Sequence, residues 1–239
     1  MNTVNRRRLT YITLILFILI LGISFFQNLG KSQDFPLILN PKFKYFTKDP
    51  QTGMQRPFLW EATYTLGPND SGFLRRDIVA DNECLGFHLY QDGANDTYAW
   101  ANIHVKQAIR GSDVSRLLRS DVSFWIYPTF SFVHDINSKE PRNVFGLEVN
   151  DGAHIIWFIF SDSAEQTYQL RNHRIVHTNL PLNQWSHVKL DIAEEYANAG
   201  WEEPSDLSFI LICGATKMTP GNYAGYFREI NVYPRQEEY

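Results

Sequence analysis

The stretch that decides the fold class is Tyr98-Ala99-Trp100-Ala101-Asn102-Ile103-His104-Val105-Lys106. In this stretch, small and apolar residues alternate with aromatic and polar residues. Alternate side chains of a β-strand point to opposite sides of its sheet. The pattern therefore predicts a strand that turns Ala101, Ile103 and Val105 toward a core, and turns Trp100 and His104 the other way.

Short runs with the same alternation recur along the chain. They are separated by clusters of turn-forming residues such as Gly67-Pro68-Asn69-Asp70 and Asn150-Asp151-Gly152, which is typical of strands joined by turns. We expect strands at Phe58–Leu66, Phe73–Val79, Leu85–Tyr90, Tyr98–Ala108, Val122–Tyr127, Val144–Asn150, Ile155–Phe160, Thr167–Asn172, Ser186–Ile192, Leu207–Cys213 and Tyr226–Tyr233. We also expect an edge strand at Leu37–Leu39 and short helices at Ser112–Arg119 and Ala193–Ala199. Many strands and little helix predict an all-β, two-sheet sandwich.

An uncharged apolar run, Leu9–Phe26, precedes the strand-rich part of the chain. As a helix it would be about 27 Å long, close to the thickness of a bilayer's hydrocarbon core. Arginines occupy positions 6–8, and the first basic residue after the run is Lys31. The positive-inside rule therefore places the N-terminus in the cytoplasm and the rest of the chain outside. The alternative is a cleaved signal peptide, for which Gly22 and Ser24 supply the small residues.

These segments predict a single-pass protein of the cell membrane with four parts. They are a cytoplasmic N-terminus at 1–8, a transmembrane signal anchor at 9–26, a linker at 27–35 and an extracytoplasmic domain at 36–239. The chain has 22 basic and 26 acidic residues. Three of the basic residues lie in the predicted cytoplasmic part, so the exported part has 19 basic residues and a net charge of −7. This charge disfavours nucleic acid and polyanionic glycans as partners.

The exported part contains the only two cysteines, Cys84 and Cys213. In an oxidising compartment they could form one disulfide that closes a long loop. The alternative is a pair of buried thiols in separate strands. Asn69 and Asn95 begin Asn-x-Ser/Thr sequons in polar, turn-like stretches, so both are candidate glycosylation sites.

The outward halves of several predicted strands are rich in aromatic and polar side chains. If these strands share one sheet, their outer face suits a sugar, because pyranose rings stack their C–H faces on flat rings and hydrogen-bond through hydroxyls at their edges. The candidate ligand-binding residues are Tyr98, Trp100, Asn102, His104, Trp125 and Glu148. The alternative is that these aromatics pack under loops or against neighbouring strands.

The sequence offers no convincing catalytic pair or metal site. A retaining glycosidase needs two carboxylates about 5 Å apart, but an amide, Asn150, occupies the position that would partner Glu148. His173 and His177 lie in an extended segment, where their spacing does not follow the helical pattern of zinc sites. We therefore expect no catalytic residue, no metal ligand and no cofactor.

Several local patterns, in this order, are similar to those of a known group of domains. The residues that carry the similarity are Asn40-Pro41-Lys42-Phe43, Pro57, Trp60, Val122–Pro128, Leu182–Asp191 and Gly225–Val232. Over residues 36–234 the chain resembles the jelly rolls of carbohydrate-binding modules and galactose-binding-like domains, and the stretch Trp185-Ser186-His187-Val188 also resembles laminin-G and concanavalin-like sandwiches.

This resemblance implies a jelly-roll sandwich and a structural role for Trp185 in closing it. Many such modules hold a structural calcium ion through an acidic residue after the aromatic of the last strand. This chain has Arg228 there, followed by Glu229, and a cation at a ligand position speaks against calcium, because calcium binds oxygen donors.

The sequence thus predicts a membrane-anchored, extracytoplasmic, non-catalytic carbohydrate-binding module with a neutral glycan as its ligand. One alternative is a structural domain that docks a partner protein of a surface complex through the same aromatic face. A further alternative is a tethered glycoside hydrolase or polysaccharide lyase.

Overall fold

The computed structural model of the chain describes residues 36–50, 53, 55–66, 73–81, 83–91, 100–131, 133–134, 141–162, 166–216 and 221–235. The predicted anchor at 9–26, the linker at 27–35 and the sequons at Asn69 and Asn95 lie outside these ranges. Within the ranges, no helix is both long enough and apolar enough to cross a membrane. Leu37–Tyr239 group into one compact unit.

The described residues form strands and two short helices. The strands are β1 (Phe46–Lys48), β2 (Gln55–Pro57), β3 (Glu61–Leu66), β4 (Phe73–Asp81), β5 (Cys84–Gln91), β6 (Trp100–Arg110), β7 (Ser120–Pro128), β8 (Val133–His134), β9 (Pro141–Asn150), β10 (Ile155–Ser161), β11 (Tyr168–Leu170), β12 (His173–Asn179), β13 (Ser186–Leu190), β14 (Asp206–Thr216) and β15 (Gly221–Pro234). The helices are α1 (Ser112–Leu118) and α2 (Ile192–Ala199). Each strand predicted between residues 58 and 233 is present, with ends shifted by a few residues. Four further strands were not predicted: β1, β2 and β8, which are very short, and the polar strand β12.

The strands form two large sheets. The larger sheet has the order β11-β12-β10-β9-β14-β6-β3, with β8 paired to β9, and the smaller sheet has the order β13-β7-β15-β5-β4. A separate pair is formed by β1 and β2. Every ladder in the described part of the chain is antiparallel except the one between β10 and β12.

The core lies between the two sheets. Phe145 of the larger sheet packs against Phe227 and Phe87 of the smaller sheet, with ring centroids 4.7 and 6.3 Å apart. The predicted alternation along β6 is confirmed, because Ile103 and Val105 are fully buried in this core while His104 between them faces away. Each buried side chain of this size contributes about 1.5–3 kcal/mol of transfer free energy, so the two-sheet sandwich follows from the inward halves of the strands.

The predicted edge strand at Leu37–Leu39 is wrong, because this segment forms bends. Side chains, not a neighbouring strand, bind the backbone of Leu39. The amide of Gln107 accepts a hydrogen bond from the Leu39 N–H (3.0 Å) and donates one to the Leu39 carbonyl (2.9 Å). The indole of Trp60 also donates to that carbonyl (2.7 Å). The segment is thereby fixed against the core, where Ile38 is buried.

In the structure, Cys84 and Cys213 are two buried thiols and do not form a disulfide. Cys84 lies in β5 of the smaller sheet, while Cys213 lies in β14 of the larger sheet among the core residues. Cys84 alternates with the inward Leu85 and lines the outer side of its sheet. The two side chains therefore point to different layers. Burial raises the pKa of the Cys213 thiol well above its usual range, which makes it inert.

The close approach of the sheets at Gly225 gives a test of this packing. A Cβ atom at Gly225 would lie 2.4 Å from the ring of Phe145. We expect Gly225→Ala to lower the free energy of unfolding by about 1–3 kcal/mol, because an overpacked core forces side chains out of their preferred rotamers. Denaturant unfolding of the full-length chain measures the loss.

The control is the same change in a Phe145→Leu background, where the smaller side chain leaves room for the methyl group. There, Gly225→Ala should cost clearly less, since contacting residues are not additive. An equal cost in both backgrounds would show that the Phe145 contact is not the reason for a glycine at this position.

Candidate functional site

The four candidate side chains that the structure describes do not all share one surface. Asn102 and His104 lie on β6 and Glu148 lies on β9, both in the larger sheet, whereas Trp125 lies on β7 in the smaller sheet. Trp100 begins β6, but its side chain is outside what the structure describes, as is all of Tyr98. The assumption that these strands share a sheet is wrong, because β6 and β9 both pair with β14 while β7 pairs with β13 and β15. The sandwich therefore has two separate outer faces to consider.

The outer face of the larger sheet holds a buried carboxylate. Glu148 is 6% exposed, and its two oxygens accept hydrogen bonds from the Trp157 indole (2.8 Å) and the Asn150 amide (2.9 Å). Burial lowers the pKa of nearby His104, attraction to Glu148 opposes this effect, and the charge of Lys106 adds to it. His104 is therefore neutral near pH 7.

Part of this face is apolar. Four side chains, Val144, Ile159, Ile175 and Ile212, form a second buried cluster. Trp157 and Tyr168 pack against it, and their rings contact His173 and His177 at centroid distances of 5.2 and 6.2 Å. Asn102 lies over Gly214. A Cβ atom at Gly214 would be 2.1 Å from the amide oxygen of Asn102. The described side chains of this face are thus mainly engaged with one another.

Asp151 also has a structural role. Its carboxylate accepts hydrogen bonds from the backbone N–H groups of Ala153 (2.7 Å) and His154 (2.6 Å), and from the hydroxyl of Tyr196 (3.0 Å). Burial would raise the pKa of Asp151, but these hydrogen bonds together hold it below its usual value. The carboxylate therefore fixes the turn between β9 and β10 to helix α2.

The outer face of the smaller sheet carries a row of aromatic rings that crosses four neighbouring segments. His88 of β5 contacts Tyr226 of β15 at a centroid distance of 5.6 Å, and the two side chains share a hydrogen bond of 2.9 Å. Tyr226 contacts Tyr127 of β7 at 5.9 Å, and Tyr127 contacts Trp185, just before β13, at 5.5 Å. The row forms because Tyr226 and Tyr127 are direct cross-strand partners.

Arg228 lies beside this row on β15. Its guanidinium carbon is 4.4 Å from the centroid of the Trp185 ring and 5.3 Å from that of Trp125. Trp125 in turn contacts His187 at 5.1 Å. The ladder between β15 and β7 is interrupted directly after Arg228, where Glu229 adopts a positive φ of 55°. Such bulges re-aim side chains, and here the bulge ends the strand's regular outer face at the arginine.

The aromatic row and Arg228 line a cavity of about 700 Å³. We call this cavity the smaller-sheet pocket, and its described lining consists of Cys84, His88, Tyr127, Thr129, Asn183, Trp185, Asn222, Ala224, Tyr226 and Arg228. Small-molecule sites usually measure about 300–1,000 Å³ and combine flat apolar walls with a few polar groups. The pocket fits both criteria, with its amides at Asn183 and Asn222.

The described part of the chain contains no group of three or more His, Cys, Asp and Glu side chains that could hold a metal ion. Arg228, which occupies the position that the resemblance compares with a calcium ligand, stacks on tryptophan rings.

None of the ten described lining residues is among the six ligand-binding residues predicted from the sequence. Trp125 comes nearest to the pocket, because it lies beneath Arg228. The sequence gives Trp185 only a structural role, and Arg228 enters only as a departure from a calcium site. The available signal was the alternation along Tyr226-Phe227-Arg228, in which the middle residue is buried in the core. That alternation places the outer two on the same face as Tyr127 once β15 is known to pair with β7.

The burial of His104 predicts a pH dependence of stability. Because the pKa of His104 is below its ordinary value of 6.5 in the folded protein, the unfolded chain binds the proton more tightly. The stability that the neutral imidazole of His104 contributes is therefore fully present above about pH 6.5. It is lost as the pH falls through this value toward the lower pKa of the folded state. We expect the wild type to lose stability relative to His104→Gln as the pH falls from neutral through 6.5 and below, measured by denaturant unfolding of the full-length chain at each pH.

Asn102→Ala is the control, because it removes a non-titrating neighbour from the same strand and should keep the wild-type slope. Parallel slopes for wild type and His104→Gln would show that His104 does not contribute to the pH dependence.

Comparisons with known proteins give only distant similarities. No protein-family model and no curated protein matches the chain. Among solved structures, the xyloglucanase domain of NopAA, a type three effector from Sinorhizobium fredii in complex with cellobiose, has a TM-score of 0.39 at 9% identity, and the match covers 72% of this chain and 98% of that one. CBM4, a carbohydrate-binding module, has a TM-score of 0.36 at 15% identity, covering 82% of this chain and 98% of its own. At these identities and TM-scores, the chain is similar to these proteins without being shown to share their fold or their function.

Proposed function

We propose that this protein is a non-catalytic glycan-binding domain, and that the smaller-sheet pocket is its binding site. The observation that carries the proposal is the row of rings from His88 to Trp185 along the pocket wall. Binding would occur by stacking of sugar rings on this row, with hydroxyl groups bonded at the rim.

The chemistry of the lining supports a sugar over a purely apolar ligand. Pyranose rings have C–H faces that gain contact energy on aromatic rings, while each hydroxyl needs a donor or an acceptor when it leaves water. The exposed amides of Asn183 and Asn222 offer both a donor and an acceptor. The hydroxyl of Thr129 already donates a hydrogen bond to the Ala224 carbonyl (2.6 Å), so this proton is not free to bind a sugar.

The shape of the site supports a glycan over a docked protein. Protein interfaces are broad and close to flat, with a hydrophobic centre, whereas this face carries an open cavity of about 700 Å³. A surface-complex docking domain remains the alternative function.

The non-catalytic assignment is based on the carboxylates. Glycosidases need two of them flanking the scissile bond, and the described pocket lining contains none. On the other face, both oxygens of Glu148 are bound by neighbouring side chains, and Asp151 fixes a turn. Neither carboxylate is placed to transfer a proton to a ligand in the pocket.

The location of the protein is part of the proposal and depends on the sequence alone. The apolar run at 9–26 with its preceding arginines supports a signal anchor that leaves the glycan-binding domain outside the cell. The net negative charge of that domain supports a glycan without many negative groups.

Truncation of the aromatic row tests the site. We expect Trp185→Ala and Tyr127→Ala each to weaken glycan binding by roughly tenfold, because an aromatic contact is worth about 0.5–1.5 kcal/mol beyond its buried area. The full-length chain in a mild non-ionic detergent would be screened on a polysaccharide and oligosaccharide array, and the affinities for the ligands found would be measured by calorimetry. Near-UV circular dichroism confirms that each variant is folded.

Trp157→Ala is the matched control, since it removes an equally large ring from the outer face of the larger sheet. If this variant lost binding while Trp185→Ala kept it, the site would be on the larger sheet with Asn102, His104 and Glu148. Trp100→Ala tests the same assignment, and Trp125→Ala tests the ring beneath Arg228. Absence of binding to any glycan by the wild type would contradict the proposed function and favour docking to a protein.

A further inference from the structure

Arg228 places a positive charge in the smaller-sheet pocket. A neutral glycan offers no negative charge for it to bind. Among the described residues of the lining it is the only arginine or lysine, and none of them is an aspartate or a glutamate. The arginine therefore has no nearby counter-charge in the described lining.

The contacts of Arg228 hold it in place without using its hydrogen-bond donors. Its guanidinium is over the rings of Trp185 and Trp125, and its Nε atom is buried without a hydrogen-bond partner. Folded proteins seldom leave a buried donor unbonded, because the bond to water is lost without replacement. Arginine carries five such N–H donors in a rigid plane.

The stacking also prepares the guanidinium for a planar anion. A side chain fixed on aromatic rings loses little conformational freedom when it binds, and the two parallel N–H bonds of an arginine match the two oxygens of a carboxylate. Trp185 belongs both to the aromatic row and to the stack under Arg228. A sugar ring on the row is therefore adjacent to the arginine.

We propose that the pocket selects a sugar unit that carries a carboxylate, a uronic acid, and that Arg228 binds this carboxylate. The proposal rests on the glycan-binding function and specifies the class of sugar that is bound. It differs from the neutral glycan that the net charge alone favours. A polysulfated chain fits less well, because it needs several cations and the described lining offers a single arginine.

The test compares polymers that differ only in the carboxyl group. Polygalacturonate, alginate and glucuronoxylan are bound to the full-length chain in non-ionic detergent, alongside the same polymers after chemical reduction of their carboxyl groups to alcohols. We expect at least one acidic polymer to bind about tenfold more tightly than its reduced form, as a charge-assisted hydrogen bond implies. This preference should shrink as salt is added.

The variants assign the preference to a residue. Arg228→Gln should bind the acidic and reduced forms equally. Arg228→Lys, which keeps the charge but not the planar pair of donors, should keep only part of the preference. Lys189→Gln removes one positive charge from a residue that is 65% exposed and paired with Asp121 at 2.7 Å, and it should keep the full preference.

The outcomes separate this inference from the proposed function. Equal binding of acidic and reduced polymers by the wild type would overturn the carboxylate inference and leave a neutral glycan as the ligand. A carboxylate preference that survives in Arg228→Gln would also overturn it. Equally tight, Arg228-dependent binding of carrageenan, which is sulfated and has no carboxylate, would overturn the selection of carboxylates. No binding to any polymer would overturn the proposed function itself.

Discussion

The contact between Phe145 and Phe227 across the sandwich is the constraint on which the rest of the structure depends. Their ring centroids are 4.7 Å apart. This approach is possible because the preceding inward-facing position on β15 is Gly225, which has no side chain to collide with Phe145. Once Phe227 is fixed inward, the residues on either side of it, Tyr226 and Arg228, must face outward. The packing of the core therefore determines which side chains form the pocket on the opposite side of the same strand.

Much of the fold could be predicted from the sequence, because the alternation of side chains is local. Ile103 and His104 are assigned to opposite faces by their neighbours alone, and the structure confirms this assignment. The short strands β1, β2 and β8 could not be predicted, since two or three residues show no period. At Leu37–Leu39, the side chains of Gln107 and Trp60 supply the hydrogen bonds that a strand would otherwise need.

The site could be predicted only in part, because pairing between strands is not local. Trp125 and His104 both alternate with buried residues, but no feature of either stretch shows that their strands belong to different sheets. The same limit applies to charge. The net charge of the chain describes its interaction with distant ions, whereas the ligand in a pocket interacts mainly with the few groups that line it. Arg228 among neutral residues is such a case.

The position of the last two strands has a consequence for how the protein reaches its folded state. In the larger sheet β14 lies between β9 and β6, and in the smaller sheet β15 lies between β7 and β5. Until these strands arrive, each sheet exists as two separate parts with unpaired edges, and contacts between segments distant in sequence form slowly. Unpaired edges bind one another. A chain that is synthesised from its N-terminus therefore has unpaired sheet edges until residues 206–234 have followed, and such edges favour aggregation during that interval.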